Sequence, residues 1–371
     1  MPLSLLEMQQ KISLKIRKWL WIYALALCIV IIKTFSRNSS WVESMYSTAV
    51  YAAFSSFLRM VFGWIPFSMG DLFYLLIIFW LVKMVCSFGG KLFKKNIGWY
   101  QLRNSAYQLL IIGMVTYIVF NIFWGLNYNR KEVASQLELT LHKIDTASLK
   151  SIERLLVIKV NESKKALVDK NADYPTNKEL FNRAVACYKE TNKRYPFFSY
   201  KKKSVKRSMF SLLGNYFGFT GYYNPFTGEA QVNTQVPKFI LPYTTAHEMA
   251  HQIGYAKEEE ANFVGYIAAT SSTDTLFHYS AYLDLFMYAN RQLSFVDTLA
   301  AKDFAMQLLP EVKADIREWR TFLLKYKNPI EPFIRWAYGS YLRANAQPKG
   351  INSYDEVIAD LIAFYKKYGR I

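Results

Sequence analysis

Cysteine is scarce, with three in 371 residues. Cys28 and Cys86 fall within apolar runs, and Cys187 stands alone in the rest of the chain. No intrachain disulfide can therefore staple a domain built from that remainder. Histidine is nearly as rare: His142, His247, His251 and His278 are the full set. Acid is short of base, 28 Asp and Glu against 46 Lys and Arg, which gives a net charge of +18. No long Gly/Ser linker and no internal repeat breaks the chain. A basic balance of this size suits nucleic acid, but the topology read below sets the basic domain outside the cytoplasm and excludes that partner. The densest basic cluster is Lys201, Lys202 and Lys203 with Lys206 and Arg207. It reads as a solvated loop, with anionic lipid headgroups or an acidic envelope polymer as the functional alternative.

What is abundant is apolar and aromatic, 52% and 17% of the residues. Trp19 to Ile32 is an apolar run bracketed by Lys18 and Lys33 and extended by Thr34 and Phe35. Leu72 to Phe88 is a second, broken only by Lys83, and Tyr107 to Leu126 is a third with no charge. These lengths predict transmembrane helices over about 19–35, 71–88 and 106–126. Trp19, Trp99 and Trp124 lie toward their ends, where an interfacial belt puts them, and Trp80 stands within the second. Three buried helices of a soluble core are the competing reading, and three such runs within 126 residues weigh against it. Ile31-Ile32-Lys33-Thr34-Phe35 offers no small-x-small cleavage site, so the first run reads as an uncleaved anchor.

Basic residues set the topology. Lys11, Lys15, Arg17 and Lys18 precede the first run, and Lys91, Lys94, Lys95 and Arg103 fill the short loop before the third. The positive-inside rule puts both in the cytoplasm and residues 127–371 on the extracytoplasmic side. Trp41 to Phe67 reads as an amphipathic helix on the outer membrane surface, ended by Pro66, with a short extra span as the alternative. The chain thus divides into a membrane domain, 1–126, and a second domain, 127–371.

Within the second domain, Ser135 to Asp169 and Asn177 to Arg194 carry helical patterns, punctuated by Pro175 and Pro196. Ser211 to Val236 turns aromatic, β-branched and glycine-containing, with Asn224-Pro225-Phe226-Thr227-Gly228 as a turn signal. A β-hairpin is expected there. From Glu258 onward the pattern is helical, closing with Ser353 to Tyr368.

Two of the four histidines fall together, in Tyr243-Thr-Thr-Ala-His-Glu-Met-Ala-His-Gln-Ile-Gly-Tyr255. On a helix, His247 and His251 share one face a turn apart, and Glu248 lies beside them. An HExxH helix of this kind suits a zinc hydrolase, with two imidazoles for the ion and a carboxylate to take a proton from water. Pro242 stops what precedes, Thr244 or Thr245 can cap the helix, and Gly254 can end it. The competing reading is a capping box, Thr245-x-x-Glu248, with two ordinary half-buried histidines. A catalytic zinc needs a third ligand. Glu258, Glu259 and Glu260 follow after the turn, and at least one of them has the bland role of favouring a helix N-terminus. Glu229 to Asn233 is a candidate edge for pairing with an extended substrate. Tyr222, Tyr223 and Phe226 are candidate cleft walls or core residues. Tyr279 and His278 are candidates for stabilising an oxyanion.

The stretch Gly221-Tyr-Tyr-Asn-Pro-Phe-Thr-Gly-Glu-Ala-Gln-Val-Asn233, with Leu241 to Tyr255 and Glu258 to Tyr266, resembles the domain of unknown function 3810 family. These are bacterial membrane proteins with an HExxH motif. Glu258-x-x-Ala261-Asn262 resembles the glutamate motif of gluzincin-type metallopeptidases. That likeness implies Glu258 as the third ligand and Asn262 as a brace for a histidine, with Glu259 as runner-up. The six residues between His251 and Glu258 are few for a gluzincin. Gly254 matches the turning glycine of metzincins, but their third ligand would fall on Lys257, a cation.

The expectation is an α+β, mainly helical chain: N-terminal transmembrane helices, then a zincin-like domain with a small hairpin or sheet and an HExxH helix. Its expected activity is that of a membrane-anchored zinc metallopeptidase of the bacterial cytoplasmic (inner) membrane, acting on a peptide or protein. His247, His251 and Glu258 hold the metal and Glu248 is the base. The alternative is a non-enzymatic membrane protein with a structural zinc site, or an inactive peptidase fold that binds an envelope partner.

Overall fold

The structure, a computed structural model, describes residues 5–93, 98–170, 173–350, 352 and 356–371. Lys94 and Lys95 lie outside the described residues, as do the side chains of Lys11, Lys15 and Lys91 and the expected helix start at Ser353. The fold is mainly helical with one small sheet. Contacts divide it into two units: residues 1–48 with 74–130, and residues 49–73 with 131–371.

In the first unit, Leu5–Ser36 and Trp99–Phe123 are long helices packed on one another. Among the described residues, three helical stretches are long and apolar enough to cross a membrane: Ile16–Ser36, Met69–Gly90 and Trp99–Phe123. Almost none of their residues is buried, as expected of lipid-facing helices. The third begins earlier than its apolar run and ends at Phe123, where Gly125–Asn129 forms a 3-10 turn. Lys18 reaches Asn104 at 3.0 Å and lies over the Tyr107 ring, and Lys33 lies over Tyr117. Both flanking lysines thus find polar or π partners at the ends of the run. Buried Arg130 forks onto Glu43 at 2.8 and 3.0 Å, and Ser47 donates to Asn127 at 2.9 Å.

The π-helix Val42–Val50 begins in the first unit and leads into the α-helix Tyr51–Phe62 of the second. This segment does not simply lie on a membrane surface. Tyr51, Ser55, Leu58 and Arg59 are buried because that face docks on residues of the C-terminal part of the chain. Three short strands form the sheet: β1 (Val205–Arg207), β2 (Gly221–Asn224) and β3 (Glu229–Val232). The order is β1-β3-β2, with β1 parallel and β2 antiparallel to β3. The expected hairpin is therefore present, as β2 and β3 around the Asn224–Gly228 turn. Glu229 to Val232 is the central strand, not an edge, because β1 pairs with its far side. The edge is β2. Ser211–Phe217, expected as extended, is a helix that leaves Leu212, Leu213 and Tyr216 exposed.

The helix Thr146–Asp169 packs along Thr275–Val296, and the helix Asn177–Arg194 has the bounds its pattern predicted. Asp145 and Thr176 cap them through Ser148 N and Glu179 N. The HExxH helix runs over Leu241–Gln252 and packs on Glu258–Ser271 and on the sheet. It starts earlier than Thr244: Pro242 sits in its first turn, where a missing N–H costs nothing. Thr245 is an interior residue bonded back to Leu241 O at 2.7 Å. It does not cap, so the capping box with Glu248 does not form.

Candidate metal centre

Every residue of Leu241–Gln252 is buried, the polar Thr244, Thr245 and Gln252 included. Gly254, at φ 93°, reverses the chain after it, a conformation that favours glycine. The next helix, Glu258–Ser271, returns across the first and brings its leading carboxylate to the histidines. Glu258 Oε2 lies 3.3 Å from His247 Nε2 and 3.6 Å from His251 Nε2. The three donor atoms lie within 4.8 Å of one another, and all three residues are buried. The imidazole planes stand nearly perpendicular, at 88°.

These spacings can be compared with what zinc needs. Ligand atoms about 2.0–2.1 Å from a tetrahedral ion lie about 3.3 Å from each other. The donor set, two imidazoles and a carboxylate, is also one that zinc takes. The residues therefore fit the ion in both spacing and chemistry. His251 Nδ1 faces Tyr255 O at 2.7 Å, which points Nε2 at the carboxylate. Tyr338 donates to Glu258 Oε1 at 2.7 Å, and Glu258 N donates to Gln347 at 3.0 Å.

Electrostatics bind the trio without an ion. Burial works against charge on Glu258, but the hydrogen bonds and charge of the two histidines outweigh it and hold its pKa well below the ordinary value. Burial likewise opposes charge on His251, and Glu258 outweighs it to raise the imidazole to about 9. Glu248 is pushed up to about 7 by burial, against the pull of the histidines. Its Oε2 is buried and accepts no hydrogen bond.

Glu248 faces a cavity of about 280 Å³. Phe219, Gly221, His247, Tyr288, Arg335 and Tyr338 are among its lining residues. Two larger cavities, about 930 and 770 Å³, do not reach the histidines, so the small one is the relevant space. β2 lies against Glu248 at Gly221: a Cβ there would stand 2.5 Å from Oε1 and 2.7 Å from Cγ. Only glycine lets the edge strand come this close.

The other sequence candidates fall elsewhere. Glu260 accepts from Val133 N at 3.1 Å, and Glu259 is raised to about 8 by burial, away from the histidines. Asn262 is buried and lines the cavity. Tyr222 donates to Asp71, Tyr223 meets Tyr51, and Phe226 stacks near Phe73, so these rings serve packing rather than the cleft. His278 bonds to Ser272 O and Tyr279 to Asp315, and neither lines the cavity. Tyr338, Gln347 and Gly221 also belong to the site's surroundings, and no sequence motif marks the first two. Tyr338 stands 80 positions from Glu258, on an amphipathic helix whose pattern marks no residue as special.

The basic cluster also divides. Lys206 is buried and donates to Gly63 O at 2.9 Å and to Ile65 O, while Lys201, Lys202 and Arg207 are exposed. Arg59 plays a similar internal part. It donates to Gln252 O at 2.7 Å, at the C-terminal end of the HExxH helix where a cation is favoured.

Neither the curated proteins nor the solved structures yield a match to this chain. The profile of the protein of unknown function family DUF3810 matches residues 46–362, and the chain belongs to that family.

Proposed function

We propose that this protein is a membrane-anchored, zinc-dependent hydrolase, and that its reaction is peptide-bond cleavage. The observation that carries this reading is the spacing of His247 Nε2, His251 Nε2 and Glu258 Oε2, with Glu248 beside them in a cavity. The surroundings fit a zincin-like plan, in which an edge strand runs over the HExxH helix. His247, His251 and Glu258 would hold the ion, which supplies a Lewis acid that acidifies water and polarises a carbonyl. Glu248 takes the proton of the attacking water on its unpartnered Oε2 and passes it to the leaving amine. Tyr255 O and Tyr338 keep His251 and Glu258 in their orientations. The free edge of β2, beginning at Gly221, offers backbone groups to an extended peptide beside the cavity.

The basic residues before the first span and between the second and third support a cytoplasmic N-terminus and an extracytoplasmic metal domain. A periplasm-active reporter fused after residue 371 should be active, and activity of a cytoplasm-only reporter there would invert the topology. The competing reading is a purely structural zinc that joins the two helices. Glu248→Gln separates the two. It should keep zinc near one ion per chain while losing hydrolysis of a quenched-fluorescence peptide library. Unchanged turnover would refute the role of Glu248 as base, and no turnover by the zinc-loaded parent would favour the structural reading.

A further inference from the structure

The helix Met69–Phe93 carries the second candidate span, and its first turn is fastened to the sheet. Glu229 accepts from Gly70 N at 2.6 Å and Met69 N at 3.3 Å, a carboxylate at a helix N-terminus. Asp71 accepts from Met209 N at 2.7 Å and from Tyr222 OH at 2.6 Å. Ser68 pairs with the Gln231 amide at 3.0 Å. Lys206 holds the preceding loop through Gly63 O. These bonds fix residues 63–71 and 206–209 around the point where an apolar helix begins.

Around that point the surface is apolar. Trp64 is 79% exposed, Phe67 49%, Met209 56%, Leu212 53% and Leu213 49%. In water such a cluster is costly, and contiguous exposed apolar surface marks an interaction site. Trp64 is a residue type enriched at membrane interfaces. Exposed Lys201 and Lys202 precede β1 and exposed Arg207 ends it, with the sign that anionic headgroups attract. The occupant is set by continuity: a helix that enters a bilayer at Met69 brings headgroups and acyl chains to the residues fastened beside it.

We propose that Trp64, Phe67, Met209, Leu212 and Leu213 form a collar that inserts into the bilayer interface around the start of the Met69–Phe93 helix. The metal domain is then held to the membrane by a surface of its own as well as by the covalent span. The collar runs on through the helix Ser211–Phe217 into Phe219 and Gly221 of the cavity wall, so it also fixes the height of that cavity above the lipid.

The test uses the full chain with Cys28→Ser and Cys86→Ser, leaving Cys187 buried. Leu213→Cys, Trp64→Cys and the exposed control Lys189→Cys, on the helix Asn177–Arg194, each receive an environment-sensitive fluorophore. The unsubstituted background corrects for labelling of Cys187. Each protein is reconstituted into phosphatidylethanolamine and phosphatidylglycerol vesicles. A shallow doxyl lipid should quench the label at 213 and 64 several-fold more than at 189, while aqueous iodide should do the reverse. Iodide quenching at 213 as strong as at 189 would overturn the proposal. So would quenching at 213 by neither agent, which would mean that protein, such as a second copy, covers the collar.

Discussion

Tyr338 donates to Oε1 of Glu258 at 2.7 Å, which leaves Oε2 of that carboxylate to face His247 and His251 at 3.3 and 3.6 Å. The phenol therefore decides which oxygen is presented. Groups that orient a metal ligand in this way are commonly worth about 10- to 100-fold in affinity. Tyr338→Phe should weaken zinc binding by about that factor, read by competition with a zinc-chelating dye. The ring is retained, so packing against Phe219 should survive. Unchanged affinity would show that the helix Glu331–Ala344 only covers the site.

Gly221 and Glu248 supply a test of the strand's closeness. An alanine Cβ would stand 2.5–2.9 Å from Oε1, Cγ and Cδ of Glu248, so the side chain or β2 must move. Overpacking of this kind costs about 1–3 kcal/mol. Gly221→Ala should lower the thermal midpoint of the full chain in detergent. The same change in a Glu248→Ala background should lower it much less, because the clashing atoms are gone. Equal losses in both backgrounds would mean that some other contact sets the glycine requirement.

The HExxH helix and its partner histidines were legible because the motif's spacing is itself the geometry: i and i+4 share a face, and helix Leu241–Gln252 keeps them there. The three apolar runs were legible for a similar reason, since length and hydropathy alone mark them. The strand order was not. β1 is three residues long and pairs in parallel with β3, a contact between segments more than twenty residues apart that no local pattern announces. The docking of Tyr51–Phe62 was hidden because its buried face carries Ser55 and Arg59 beside Leu58, and polar side chains do not advertise burial. Arg59 is buried because Gln252 O needs a donor, a fact of tertiary structure alone.

The three consecutive glutamates should separate cleanly. Glu258→Ala removes the only one of them that reaches both histidines and should lower zinc affinity by orders of magnitude. Glu259→Ala should leave zinc per chain unchanged. Glu260→Ala should also keep zinc but cost about 1–3 kcal/mol of stability, because buried Val133 N loses its acceptor. Zinc content and thermal midpoint measured together on the three variants decide it. Loss of zinc from Glu259→Ala alone would mean that the helix register is off by one.

Glu153, outside the His247–His251–Glu258 group, makes stability depend on pH. It lies on the Thr146–Asp169 helix with none of its surface exposed. Burial raises its pKa from 4.5 to about 8, and the hydrogen bond from Asn290 at 2.9 Å only partly opposes this. Between those values the unfolded chain gives up the proton while the folded chain keeps it. The contribution of the protonated acid is therefore complete below about pH 4.5 and lost as pH rises through about 8. The loss is on the order of 5 kcal/mol. Glu153→Gln keeps an acceptor for Asn290 and cannot ionise. Its thermal midpoint should match the parent near pH 4.5 and exceed it increasingly up to about pH 8, then hold a constant lead. A lead that does not change with pH would show that Glu153 is ionised in the folded protein and that its second oxygen has found a partner.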